Sequence, residues 1–276
     1  MELWSPGGKC NRRLLDLPGT RQYYGKATIY FDGLVLVCGG RRQHTKDPNV
    51  CLKLDPETEI WTEHSILLNS KDSEILYVAH VIVGDRLYLL GGESQSNPSI
   101  HSQYLEIGST TWQEGPELPA GTYYRYGCAA PDSNDSFILI SQGNNPPVFQ
   151  YQISTDSWHS LPVIPFQYVY EPACGRVGNG ILVAFRDQQS LTHSLVLDVT
   201  TQTWSEVGDF VIPSGYTSIL DVSGRCFKIG RNNPVLEEYQ PYSKTWQLNM
   251  QPLLSGNTKS QVDGDTVPKY LFNDCS

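Results

Sequence analysis

The sequence predicts an all-β chain, a six-bladed β-propeller of four-stranded antiparallel blades whose last blade is shared between the N- and C-termini. Five tryptophans, Trp61, Trp112, Trp158, Trp204 and Trp246, follow one another at intervals of 51, 46, 46 and 42 residues, a period in the range of one propeller blade. Each closes a strand–turn–strand phrase, and two further apolar runs joined by a tight turn lie upstream of each phrase. Glycine (24) and proline (18) are frequent while charged residues are only 18% of the chain, which suits many short strands and turns better than long helices.

The first unit, residues 19–66, has apolar runs at 27–31 and 34–38 around Asp32-Gly33, then Leu54-Asp55-Pro56-Glu57-Thr58 ahead of Trp61. Asp-Gly between β-favouring runs is a hairpin signal, because both residues tolerate the positive φ of a tight turn. The second unit, 72–119, repeats this with 78–83, Gly84-Asp85-Arg86 and 87–90, and closes at Trp112. Units 120–163, 164–212 and 213–254 close at Trp158, Trp204 and Trp246. A four-stranded unit of this kind cannot bury both its faces alone, so it must stack on neighbours, and a ring protects the sheet edges while doing so. The sixth unit is composed of residues 255–276 and 1–18, with strands at 259–262 and 270–272 from one end and at 2–4 and 11–15 from the other. The whole chain then reads as a single domain. A β-sandwich is the competing fold, but it has no reason to repeat a four-strand phrase five times.

Gly39-Gly40 and Gly91-Gly92 end the second strand of the first two units, and the phrase that follows them runs to the unit's tryptophan. In these features the chain resembles the kelch repeat family over nearly its whole length. The double glycine is replaced in the later units by Gln142-Gly143, Phe185-Arg186 and Ile229-Gly230. The resemblance implies a propeller that recognises another protein, as in substrate-recognition subunits of ubiquitin ligases. Those proteins usually carry a separate adaptor-binding domain, and none is expected within these 276 residues. It also implies an alternative, since some propellers resembling kelch proteins are sugar-modifying or metal-dependent enzymes.

In such a ring the loops between strands two and three emerge on the same face as the segments joining successive blades. The two-to-three loops begin with Arg41, Arg42 and His44; Glu93 and Gln95; Asn144 and Asn145; Arg186 and Gln188; Arg231 and Asn232. The joining segments contribute Tyr24, Tyr77, Tyr124 with Arg125, Tyr170 and Tyr216. Tyrosine offers rigid amphipathic area and arginine a fork that fits carboxylates, so this face is the expected binding site and an acidic peptide the expected partner. The expectation is a non-catalytic, monomeric binding module with no cofactor. Six histidines carry no HxH or HExxH spacing, and only His44 falls on this face. Glu93, Glu171 and Asp187 are acids that could converge there for catalysis.

A formal net charge of −9 argues against nucleic acid, whose phosphates need basic partners. No apolar stretch approaches the roughly 20 residues of a spanning helix, and residues 1–10 show no secretory pattern. Seven widely spaced cysteines without a CxxC pair read as buried thiols in a reducing compartment, hence cytoplasmic or nuclear, with a disulfide framework as the alternative. One glycosylation sequon, Asn134-Asp135-Ser136, is present, a number expected by chance.

Overall fold

The structure is a computed structural model that describes residues 2–4, 12–13, 24–41, 51–55, 58, 60–64, 77–94, 97–98, 101–119, 127–208, 210, 217–222, 225–230, 236–248 and 270–272. The described residues contain strands and turns and no helix, and none is long and apolar enough to cross a membrane as one. Five four-stranded antiparallel units are arranged as the blades of a β-propeller. Blade one comprises Tyr24–Phe31, Leu34–Arg41, Cys51–Leu54 and Trp61–His64, and blade two Ala79–Val83, Arg86–Leu90, Ser102–Glu106 and Gln113–Glu114. Blade three comprises Cys128–Ser133, Ser136–Ile140, Val148–Gln152 and Ser157–Leu161. Blade four comprises Tyr168–Val177, Gly180–Arg186, Thr192–Asp198 and Thr203–Glu206, and blade five Thr217–Val222, Arg225–Gly230, Leu236–Gln240 and Thr245–Leu248. The first strands of successive blades lie beside one another and form the inner wall.

The second strand of each blade is apolar at consecutive positions because it is covered on both faces. In blade three, Phe137 and Leu139 pack back against Tyr88 and Leu90 of blade two, whereas Ile138 and Ile140 pack forward against Ile181 and Val183 of blade four. Alternation of side chains along a strand places each set on its own side. Four such cores join blades one to two, two to three, three to four and four to five. Three of the period-marking tryptophans reach back to the preceding blade. Trp158 Nε1 donates to the Glu117 carbonyl of blade two at 3.0 Å, and Trp204 Nε1 donates to the Pro162 carbonyl of blade three at 2.9 Å. Trp246, 3% exposed, lies in the core between blades four and five and donates to Ser194 Oγ at 3.2 Å.

Two expectations are corrected. The residues expected to form a sixth blade make a three-stranded sheet instead: Glu2–Trp4 pairs antiparallel with Arg12–Arg13 but parallel with Tyr270–Phe272, Leu3 facing Leu271. Within a blade, short loops force neighbouring strands antiparallel. Segments from opposite ends of the chain have no such loop to set their direction. The expected strand at 259–262 lies outside the described residues.

The second correction concerns the cysteines. Cys38 and Cys51 form a disulfide across strands two and three of blade one, and Cys128 and Cys174 form one between the first strands of blades three and four. The latter pair is 46 residues apart, which equals the spacing from Trp112 to Trp158. One blade period puts two cysteines on adjacent inner strands, a proximity that no local motif reveals. Cys226 takes part in neither disulfide and is buried, and its Sγ–H donates to the Arg176 carbonyl at 3.1 Å.

Candidate binding face on blades three and four

Blades three and four are joined on one face by backbone pairing. The loop after strand two of blade three, Gly143–Asn144, adds to the edge of blade four by pairing with Val169 and Tyr168, and the Asn145 N–H donates to the Gln167 carbonyl at 2.8 Å. The two-to-three loop of one blade and the segment leading into the next blade therefore share a face here. Asn144 and Asn145 remain exposed on it, with Asn145 in the left-handed region at φ 43°.

Register identifies which residues correspond between blades. Ala79 pairs with Leu90 in blade two, Cys128 with Ile140 in blade three, and Ala173 with Ala184 in blade four. Gly91-Gly92 thus corresponds to Ser141-Gln142 in blade three, one residue earlier than the Gln142-Gly143 expected from sequence. In blade four it corresponds to Phe185-Arg186, as read from sequence. Gln142 and Arg186 both stand at the second glycine's position, and both reach Glu171. Arg186 Nη2 meets Glu171 Oε2 at 2.6 Å with both side chains about one-fifth exposed, and the Glu171 N–H donates to Gln142 Oε1 at 3.5 Å.

Glu171 itself has φ 47°, and Tyr77, which stands two residues before Ala79 just as Glu171 stands two before Ala173, has φ 56°. A left-handed backbone at a residue this large is costly and persists only where the surroundings fix it; such positions concentrate at ligand sites. Gly25, Tyr126 and Tyr216 stand at the same offset in blades one, three and five, the last two outside the described residues. Next to Glu171, Tyr170 is 41% exposed and packs on Tyr168 with ring centroids 4.4 Å apart. The hydrogen bond with Tyr170, together with burial, pushes the Tyr168 hydroxyl up to about 12, so this phenol stays neutral at physiological pH.

The loop after Arg186 is organised by Asp187. Its Oδ1 accepts from the N–H groups of Gln189 and Leu191 at 2.9 and 2.8 Å, and its Oδ2 lies 2.9 Å from His193 Nε2. Burial pushes the Asp187 carboxyl up, but the His193 and backbone hydrogen bonds outweigh it and hold the group below the usual carboxylate range. His193 stacks on Phe166 and Phe185, with centroids 4.5 and 5.6 Å away. Gln188 is exposed at the tip of the loop.

Of the expected binding residues, Asn144, Asn145, Tyr170, Arg186 and Gln188 come together on this face of blades three and four. Tyr24 and Arg41 are backbone partners in blade one, as Tyr170 and Arg186 are in blade four. Glu93 pairs with Pro98 in a two-residue ladder, and Tyr77 opens the inner strand of blade two. Arg42, His44, Gln95, Tyr124, Arg125, Tyr216, Arg231 and Asn232 lie outside the described residues, as do the side chains of Tyr24, Arg41 and Glu93. Among the three expected acids, Glu171 engages Arg186 and Asp187 engages His193. Gln142 and His193 were missed as site residues. The signal for Gln142 was its place in a broken double glycine, where a side chain replaces none.

No protein-family model matches this chain, and no curated protein matches it.

Proposed function

We propose that this propeller-type chain is a non-catalytic binding module that takes a peptide segment of a partner protein on the face carrying Tyr170, Arg186 and the Asn144–Asn145 loop. The observation that carries the reading is the grip on Glu171. Blades three and four place side chains where blades one and two have Gly40 and Gly92, and both close on one residue of strained backbone. A rigid patch of this kind, with exposed amides and a tyrosine pair beside it, lowers the ordering cost of binding. The kelch resemblance agrees with such a role.

The preference for an acidic segment rests on the arginines of the whole face, Arg41, Arg42, Arg125, Arg186 and Arg231. Arg186 already holds one carboxylate, that of Glu171, and the same guanidinium fork suits the carboxylate of an acidic ligand. The enzyme alternative would draw on Asp187 and His193. Their contacts are with the loop backbone and with Phe166 and Phe185, which is what a structural pair needs. We take the protein to be a monomer in this role. The test is capture of partners from cell extract by wild type and by a folded variant with Arg41, Arg125, Arg186 and Arg231 all changed to alanine. Proteins retained only by wild type support the reading; equal capture by both moves the site elsewhere.

A further inference from the structure

We propose that Asn134 is an N-glycan acceptor and that the chain matures in an oxidising secretory compartment. Asn134-Asp135-Ser136 satisfies the Asn-x-Ser pattern. The pattern alone is weak, because one copy is expected by chance in a chain of this length. Two independent structural features give it weight.

The first is its position. Asn134 and Asp135 form the turn between Cys128–Ser133 and Ser136–Ile140 of blade three, and Asn134 is exposed. Its neighbours hold the turn. Asp135 Oδ2 accepts from Gln152 Nε2 at 2.5 Å, the Asp135 carbonyl accepts from the Ile153 N–H at 2.9 Å, and Ser136 Oγ donates to Asp132 Oδ2 at 3.0 Å. The Asn134 amide makes no hydrogen bond among the described residues, so a sugar on its nitrogen would break nothing. The turn lies at the opposite end of the strands from Gly143–Asn144, and a glycan there leaves the proposed binding face bare.

The second is redox state. Cys38–Cys51 and Cys128–Cys174 are disulfides, and such bonds form and persist in the secretory lumen and outside the cell but are rare in the cytosol. The compartment that makes these bonds is the one in which Asn-x-Ser is modified. This reading replaces the cytoplasmic location expected from the sequence. In the transfer, the Asn134 Nδ2 displaces pyrophosphate from C1 of a lipid-pyrophosphate-linked oligosaccharide. A C–N bond forms, the C–O bond to the pyrophosphate breaks with its electron pair leaving on oxygen, and one amide proton is lost to a base. Ser136, 2% exposed in the folded protein, is accessible for this step while the chain is still unfolded.

The experiment is production of the full chain through the secretory pathway of eukaryotic cells, followed by peptide mapping under non-reducing conditions with and without peptide-N-glycosidase. Expected are a Cys128–Cys174 linked peptide pair and a glycosylated Asn134 peptide that glycosidase converts to aspartate, with the mobility shift abolished in Asn134→Gln and in Ser136→Ala. Because Ser136 is buried and Asn134 is not, Asn134→Gln separates loss of the glycan from loss of the fold. Unmodified Asn134 in a chain that has formed its disulfides overturns the proposal. Reduced cysteines at 128 and 174 overturn it as well, by removing its second support.

Discussion

Gln142 and Arg186 occupy the same position one blade apart, and both close on Glu171, one through the backbone N–H and one through the carboxylate at 2.6 Å. In blade two that position is Gly92, at φ 98°, which presents no side chain at all. Loss of a glycine pattern in blades three and four therefore creates a polar contact that blade two lacks.

Arg186→Ala removes the guanidinium and leaves Glu171 with a charge that is four-fifths covered. Partner binding is expected to weaken by roughly 2–5 kcal/mol, measured by titration calorimetry or equilibrium capture of whichever partner wild type retains. Arg186→Lys restores only part of it, since a point charge cannot reproduce the fork. Binding unchanged in Arg186→Ala takes this residue out of the site.

Trp246 carries the last of the inter-blade anchors. Replacing this buried side chain by alanine opens a cavity against Phe210 and Tyr239, whose rings lie 4.9 and 5.5 Å away. A loss of about 3–5 kcal/mol is expected in urea unfolding followed by circular dichroism. A loss below about 1 kcal/mol, the worth of a hydrogen bond alone, would mean that the tryptophan does not cement blades four and five.

The Cys128–Cys174 bond closes a loop of 46 residues in the unfolded chain. Chain entropy assigns such a bond about 4 kcal/mol, and the Cys38–Cys51 bond, at 13 residues, about 3 kcal/mol. The thermal midpoint is expected to fall markedly in reductant and to fall further for Cys128→Ala/Cys174→Ala than for Cys38→Ala/Cys51→Ala. Indifference to reductant contradicts this assignment.

His80 lies on the inner strand of blade two, on the side opposite Ala79 and Val81, and burial lowers it from 6.5 to about 4. The unfolded chain accepts a proton here near pH 6.5 and the folded one does not. Stability from this group is therefore complete above pH 6.5, declines as the pH falls toward 4 and levels off below, with a total of about 3 kcal/mol. Asp187 and Asp198, held below the usual carboxylate range, contribute losses only at still lower pH. Unfolding free energy measured from pH 7.5 to 4 should slope for wild type and flatten for His80→Gln; parallel curves would place the titration elsewhere.

The repeat was legible because Trp158 and Trp204 make the same contact, each donating to a carbonyl of the preceding blade 41 or 42 residues back, which ties their spacing to the blade period. The blade count was not, because residues 2–4 and 270–272 carry no tryptophan phrase and their pairing is set by contact between the two ends of the chain. Tyr170 and Arg186 were readable as site residues from their place at strand ends. Glu171 read only as one of several acids, since neither its backbone conformation nor its two partners in different blades leave a local mark. The Cys128–Cys174 disulfide was hidden for the same reason, being local in space and one blade apart in sequence.

The most direct test of the binding face places a photo-crosslinking amino acid at Gln188, exposed beside Arg186, and in a second protein at Tyr242, exposed in the turn between strands three and four of blade five. In cell extract, the account predicts a discrete crosslinked partner from position 188 that is lost in Arg186→Ala, and none of the same mass from position 242. The same partner from both positions, or from 242 alone, would contradict it.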